Sequence, residues 1–134
     1  MAEPMLIDVE GGWIQISRAL GKEADADLRL EVTARVDGFQ GFVDTWVPTE
    51  AWNDFSEALA QLEAARQGEA ILESLTPGEL ALAIRSVDPA GHVAVSGRLS
   101  RDDGTTVLSM SFGPCALDPS LLPQLVRASR RLAG

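Results

Sequence analysis

The chain has 134 residues, of which 46% are hydrophobic and 23% charged, and its 20 acidic and 11 basic side chains give a formal net charge of −9. This length and composition are typical of one globular domain, so we expect residues 1–134 to fold as a single domain. The negative charge repels phosphate backbones and favours encounters with basic surfaces, which argues against direct nucleic-acid binding.

The N-terminal third predicts extended structure. A short apolar run, Trp13 to Ile16, follows Gly11-Gly12, and residues 27–37 then alternate strictly between apolar and polar side chains. Such alternation indicates a half-buried strand. Residues 38–41 supply a tight connection, and residues 42–47 are predicted to return as the antiparallel partner. Acidic and basic side chains alternate on the outer face, which predicts a cross-strand ladder of ion pairs.

The first helix is predicted from about Glu50 to Gln67. Pro48 ends the preceding strand, Thr49 is a suitable N-cap, and Glu50 places a carboxylate at the positive end of the helix dipole. An apolar stripe follows at spacings of three and four residues, as a core-facing helix requires. Its members are Trp52, Phe55, Leu59 and Leu62.

Four further strands are predicted at the regular spacing of a meander, over residues 70–75, 79–87, 92–100 and 105–112. The segments between them are rich in Pro, Gly and Asp, which favour tight turns. Three of these strands are predicted to share one core face. The apolar side chains assigned to it are Leu80, Leu82, Ile84, Val93, Val95, Leu99, Leu108, Met110 and Phe112.

A second helix is predicted to start at Asp118-Pro119 or nearer residues 121–123, and to end near Leu132. The predicted fold is therefore α+β: a single, mainly antiparallel β-sheet of about six or seven strands with two helices packed on its apolar face. We expect one shared core. Its members include Trp52, Phe55, Leu59, Leu82, Val95 and Met110.

Residues for catalysis are sparse. His92 is the only histidine, and no phosphate-binding glycine loop, nucleophile elbow or zinc-protease motif occurs. Neither His92 nor Cys115 has a spacing that predicts a catalytic pair. We therefore assign no catalytic residue, no metal site and no cofactor, and we expect the protein not to be an enzyme.

The sequence predicts a cytoplasmic protein. The N-terminal residues lack the basic start and apolar run of a secretory signal, and no stretch of about 18 apolar residues could span a membrane. The single cysteine, Cys115, cannot form an internal disulfide, which fits a reducing compartment.

The order of segments from Asp25 to Leu132 resembles the WapI-type immunity proteins and their actinobacterial relatives. The matching segments are DADLRLEV, GFQG, PTEAWNDFSEALAQL, EAILESL, GELALAI, GHVAVSGRL, TVLSMSF and LDPSLLPQLV. The resemblance implies a protein that binds and blocks a toxin domain delivered by a neighbouring cell, in the best-known case a nuclease that acts on tRNA. Two alternatives remain: an acidic chaperone for a secreted effector, and, with less support, a small hydrolase or ligand-binding enzyme.

A basic protein partner, such as a toxin domain, is the expected ligand, while the oligomeric state is not predicted. Once the apolar stripe fixes the buried side of the first helix, the acidic residues left outside form a row that could guide a basic partner. The predicted partner-binding residues are Asp44, Glu50, Asp54, Glu57 and Glu63. The competing surface is the outer sheet face around Asp27, Glu31 and Asp37.

Overall fold

A computed structural model describes residues 3–19 and 27–134. Asp25 and Ala26, where the family resemblance begins, lie outside the described residues. The first half of the chain forms β1 (Met5–Val9), β2 (Gly12–Arg18), β3 (Asp27–Val36), β4 (Phe39–Pro48) and helix α1 (Thr49–Ala65). The second half forms β5 (Glu69–Glu73), β6 (Leu80–Ser86), β7 (Val93–Asp102), β8 (Val107–Leu117), a short 3-10 turn (Pro119–Leu121) and helix α2 (Leu122–Ala133).

The α+β class is confirmed, but the prediction of a single sheet of six or seven strands is wrong. The described strands form two four-stranded antiparallel sheets, in the orders β1-β2-β3-β4 and β5-β6-β7-β8. Helix α1 lies between β4 and β5 in the chain. These two strands belong to different sheets. Backbone hydrogen bonds join the sheets at two margins, from Leu75 N to Trp46 O at 2.8 Å and from Glu10 N to Ala116 O at 2.9 Å.

The predicted hairpin between β3 and β4 is confirmed. Its register runs from Asp27 opposite Pro48 to Val36 opposite Phe39, which leaves Asp37-Gly38 as a two-residue turn. Both turn residues have positive φ, 50° at Asp37 and 86° at Gly38. Aspartate and glycine are the residues that such hairpin turns favour. The strand β1 is absent from the sequence predictions because its five residues lie beside a short glycine turn and show little alternation.

Most of the predicted core is confirmed. Trp52 and Phe55 are fully buried, with ring centroids 5.5 Å apart, and they pack in the same cluster as Leu82 and Val95. Met110, in contrast, is only partly buried, and Leu108 is 56% exposed. The alternation placed both side chains on a core-facing side of β8. Met110 lies opposite the buried Leu99 in the β7–β8 pairing. The end of β8 that contains Leu108, however, extends beyond the packed core.

The two helices contact each other and differ from the predictions at their ends. Helix α1 begins at Thr49 with Pro48 as its N-cap and no capping side chain, so the prediction of Thr49 as the cap is wrong. Before α2, the Asp118 carboxylate accepts a hydrogen bond from Ser120 N at 2.9 Å and caps the 3-10 turn. The Trp52 indole donates to the Ser129 carbonyl at 2.9 Å, which ties α1 to α2. In the described part of the chain, no helix has the length and apolar character needed to cross a membrane.

Candidate functional site

Helix α1 carries four of the five predicted partner-binding carboxylates. Glu50, Asp54 and Glu57 are exposed, while Glu63 is half-buried. Positions three and four apart lie on one side of a helix, so the three exposed carboxylates form a row. Among the described residues, none of these four carboxylate groups forms an ion pair or accepts a hydrogen bond. Their charges are therefore not neutralised within the described chain. We name Glu50, Asp54 and Glu57 the α1 row.

The fifth predicted residue, Asp44, lies on β4 and is paired with a cation. Its two carboxylate oxygens accept hydrogen bonds from Arg29 on β3, from Nε at 3.0 Å and from Nη2 at 2.6 Å. Asp44 lies directly opposite Glu31, so Arg29 reaches it diagonally across the hairpin. The hydrogen bond from Arg29 lowers the pKa of Asp44, and the same bond raises the pKa of Arg29. This contact is one rung of the predicted ion-pair ladder.

The competing acidic surface lies on β3 and its turn. Asp27 is half-buried at the start of β3, whereas Glu31 and Asp37 are exposed. Asp37 occupies the hairpin turn, and its amide donates to the Gly11 carbonyl at 2.9 Å. Its carboxylate lies against Gly11, where an added Cβ would be 2.6 Å from Oδ1. The structure therefore spreads these three acids along the strand and its turn, without the single row that α1 provides.

His92 and Cys115 have separate structural roles. The His92 Nδ1 atom lies 2.6 Å from Asp88 Oδ2, and Asp88 Oδ1 accepts the amides of Ala90 and His92. Asp88 therefore holds the β6–β7 turn, and its hydrogen bond with the His92 ring lowers the pKa of Asp88. Burial raises the pKa of the Cys115 thiol, as do the nearby charges of Asp37 and Glu10. A raised pKa keeps the thiol protonated, which is the unreactive form.

Possible metal ligands do not converge in the described ranges 3–19 and 27–134. No group of three or more His, Cys, Asp or Glu side chains there could hold a metal ion.

An apolar groove between β4 and β8 is the feature that sequence reasoning missed. It consists of two adjoining depressions of about 320 and 630 Å³ that share Gln40, Ser109 and Met110. Phe39, which lines the larger depression, is 74% exposed, and Phe42 at the smaller one is 44% exposed. Two features of the sequence could have indicated this groove. Residues 107–112 carry no charge, and two phenylalanines follow the turn of the β3–β4 hairpin. We call this feature the β4–β8 groove.

Comparison with known proteins gives one family. A model of the immunity protein WapI-like family matches residues 7–132. The matched span contains α1, all but the last residue of α2, nearly all of the first sheet, all of the second sheet and all five predicted carboxylates. Neither the curated proteins nor the solved structures provide a match to the chain.

Proposed function

Because the chain belongs to the WapI-like immunity protein family, we propose that it neutralises a toxin domain by binding to it. The family match over residues 7–132 is the observation that carries this proposal. In the proposed role, the protein acts in the cytoplasm of the cell that makes it and performs no chemical step. It protects that cell by occupying a surface that the toxin needs.

The proposed partner is basic, as a nuclease toxin would be. A nuclease must hold phosphate groups, so its active-site surface carries positive charge. The net charge of −9 would steer the present chain towards such a surface and raise the rate of encounter. Carboxylates fixed at the position of substrate phosphates would then exclude the substrate.

We propose the α1 row as the surface that meets the toxin. Three observations support it: the carboxylates are exposed, they are unpaired among the described residues, and they lie on a well-anchored helix. The opposite side of α1 is buried through Trp52 and Phe55, and its hydrogen bonds to α2 fix its position. A fixed row loses little conformational freedom on binding, which favours affinity. The other two predicted residues are excluded from the row: Glu63 is half-buried next to the packed side of α1, and Asp44 is already engaged by Arg29.

The test uses a candidate toxin domain, taken from the C-terminus of any large secreted protein whose reading frame adjoins this gene. The purified domain is mixed with the present chain at low salt, and the association rate is measured by stopped-flow fluorescence. The double variant Asp54→Lys, Glu57→Lys should associate about tenfold or more slowly and show a weaker dependence on salt, because exposed charges act mainly on the encounter rate.

The matched control is Glu69→Lys, Glu73→Lys, which makes the same change in net charge on exposed positions of β5. The control should retain an association rate much closer to that of the wild type. Equal slowing by both variants would mean that net charge matters and the α1 row does not. Failure of the wild-type chain to bind the domain, or to suppress its toxicity on co-expression, would contradict the immunity role itself.

A further inference from the structure

Strand β8 forms an edge of the second sheet and carries no charged side chain along its length. It pairs with β7 on one side. Within the described ranges, β8 accepts one backbone hydrogen bond from outside its sheet, which Glu10 N donates to Ala116 O. Among the described strands, β7 is therefore the one that is hydrogen-bonded to residues 107–112. Proteins usually protect such an edge with lysine, proline or a covering element, because an uncovered edge pairs with other chains. Residues 107–112 contain neither lysine nor proline.

The β4–β8 groove lies beside this edge. Gly41 on β4 approaches Met110 so closely that an added Cβ would be 3.1 Å from the Met110 sulfur. The two depressions of the groove share Met110, and their exposed apolar side chains include Phe39 and Leu108. A group of large apolar side chains exposed together marks an interaction surface, whereas scattered ones do not.

The charges around the groove favour a basic occupant. Asp37 lines the end near Cys115, and Glu10 is close enough to that thiol to influence its pKa. Arg101 lines the other end, where the charge of Asp103 lies nearby. Hydrogen bonds from the amides of Thr106 and Thr105 lower the pKa of Asp103. Three of these four charged side chains are acidic.

A second copy of this chain is a poor occupant for the same electrostatic reason. Each copy would bring a formal charge of −9 and another acidic rim to the contact. An apolar segment flanked by basic residues would instead match both the depressions and the rim.

We propose that the β4–β8 groove binds an extended apolar segment of the toxin domain, flanked by basic residues, as an added strand on the edge of β8. The identity of this partner rests on the proposed immunity function. In strand addition, main-chain hydrogen bonds supply affinity, while alternate side chains enter the pockets and supply specificity. The groove would thus provide a second contact, on elements other than α1.

The first experiment uses a defined peptide, so that it does not depend on the toxin. The probe is a fluorescein-labelled peptide of alternating valine and threonine with lysines at both ends, and its binding is measured by fluorescence anisotropy. We expect the wild-type chain to bind it, and Leu108→Lys to weaken binding about tenfold or more. Phe39→Ala repeats the test from the other wall of the groove and should also weaken binding.

The matched control is Val87→Lys, since Val87 is 53% exposed and follows β6, whereas Leu108 is 56% exposed and lies in the groove. This variant should bind the lysine peptide as the wild type does, and a peptide with glutamates in place of the lysines should bind more weakly. The proposal would be overturned by no binding of the lysine peptide, by equal binding of both peptides, or by equal weakening in the Leu108 and Val87 variants. A dimer in analytical ultracentrifugation that Leu108→Lys dissociates and Val87→Lys leaves intact would also overturn it, because a second copy would then occupy the groove.

The second experiment uses the purified toxin domain and measures hydrogen exchange of the complex. Protection of the amides in residues 107–112 is the expected result. Binding of the toxin without that protection would overturn the groove proposal and leave the immunity function standing. If the protein binds the lysine peptide but not the toxin domain, the immunity function is contradicted. The groove would then remain a peptide-binding surface, but not one for the toxin.

Discussion

The Ser56 hydroxyl lies 2.6 Å from the Ser129 hydroxyl in the buried contact between α1 and α2. The Ser129 hydroxyl donates to the Val126 carbonyl at 2.8 Å, so its oxygen accepts the hydrogen bond from Ser56. This polar contact, together with the Trp52 indole bond to the Ser129 carbonyl, holds α2 against the helix that carries the α1 row.

The two serines should respond differently to substitution. Ser129→Ala should lower the free energy of unfolding by about 1–3 kcal/mol, because it leaves the buried Ser56 hydroxyl without an acceptor. Ser56→Ala should cost less, since Ser129 keeps its bond to Val126. Urea denaturation of both variants measures the difference. Equal losses would contradict the assigned direction of the hydrogen bond.

Phe55 should be a major contributor to stability. Its side chain is fully buried, so Phe55→Ala should cost about 3–5 kcal/mol of unfolding free energy through lost burial and a residual cavity. The control Phe42→Ala makes the same chemical change at a side chain that is 44% exposed, and it should cost less than about 1 kcal/mol. Chemical denaturation tests both variants. A Phe55 loss within the error of the control would show that the buried side of α1 is assigned wrongly.

The ion pair between Arg29 and Asp44 predicts a dependence of stability on pH. The hydrogen bond from Arg29 lowers the pKa of Asp44 from its ordinary value of 3.8, so the folded state binds this proton less readily than the unfolded state. The pair therefore stabilises the fold above pH 3.8, and its contribution is lost as the pH falls through the lower folded pKa.

Asp44→Asn measures this contribution. The variant should be less stable than the wild type at neutral pH, by less than about 1 kcal/mol because both partners are exposed to solvent. The difference should shrink as the pH is lowered through the folded pKa of Asp44, because the carboxylate then becomes protonated in the folded as well as the unfolded state. Asp54→Asn, which removes a carboxylate without an ion-pair partner among the described residues, is the control. A difference for Asp44→Asn that is constant with pH would contradict the role of the ion pair.

Binding should not depend on His92 or Cys115. His92→Ala removes a turn contact to Asp88, away from both proposed docking surfaces. Cys115→Ser replaces a buried, unreactive thiol at one end of the β4–β8 groove with a group of nearly the same size. Both variants should retain the wild-type affinity for the toxin domain in calorimetry, after circular dichroism has verified that they are folded. A folded variant that no longer protects cells would favour the enzyme interpretation instead.

Local sequence signals predicted the elements of this fold better than their arrangement. Strict alternation in residues 27–37 and the glycines of residues 38–41 were sufficient to predict the β3–β4 hairpin, because neighbouring residues determine both features. The predicted connection was too long, since the turn is Asp37-Gly38 and β4 already begins at Phe39. The division into two sheets depends on contacts between segments far apart in the chain. One example is the bond from Glu10 to Ala116, for which the sequence carries no local signal.

The same limit explains the missed groove. Alternation shows that the two sides of a strand differ, but it does not show how much of one side a neighbouring element covers. Leu108 and Met110 satisfy the pattern of a core-facing strand, yet Leu108 is exposed because the packed core ends before it. The exposure of the α1 row was easier to predict, since a helical stripe through Trp52 and Phe55 determines which residues remain outside. Glu63, predicted to lie outside with them, is half-buried.

The order of the elements also has a consequence for folding. Every described strand pairs with a neighbour in sequence, so both sheets require only short loop closures, which are fast. The contact between Trp52 and Ser129, in contrast, joins positions 77 residues apart, and α2 follows all the described strands. Both sheets can therefore form on the nascent chain before α2 emerges from the ribosome. A chain that ends before α2 would expose Trp52 to water, and it would be a ready substrate for cellular proteases.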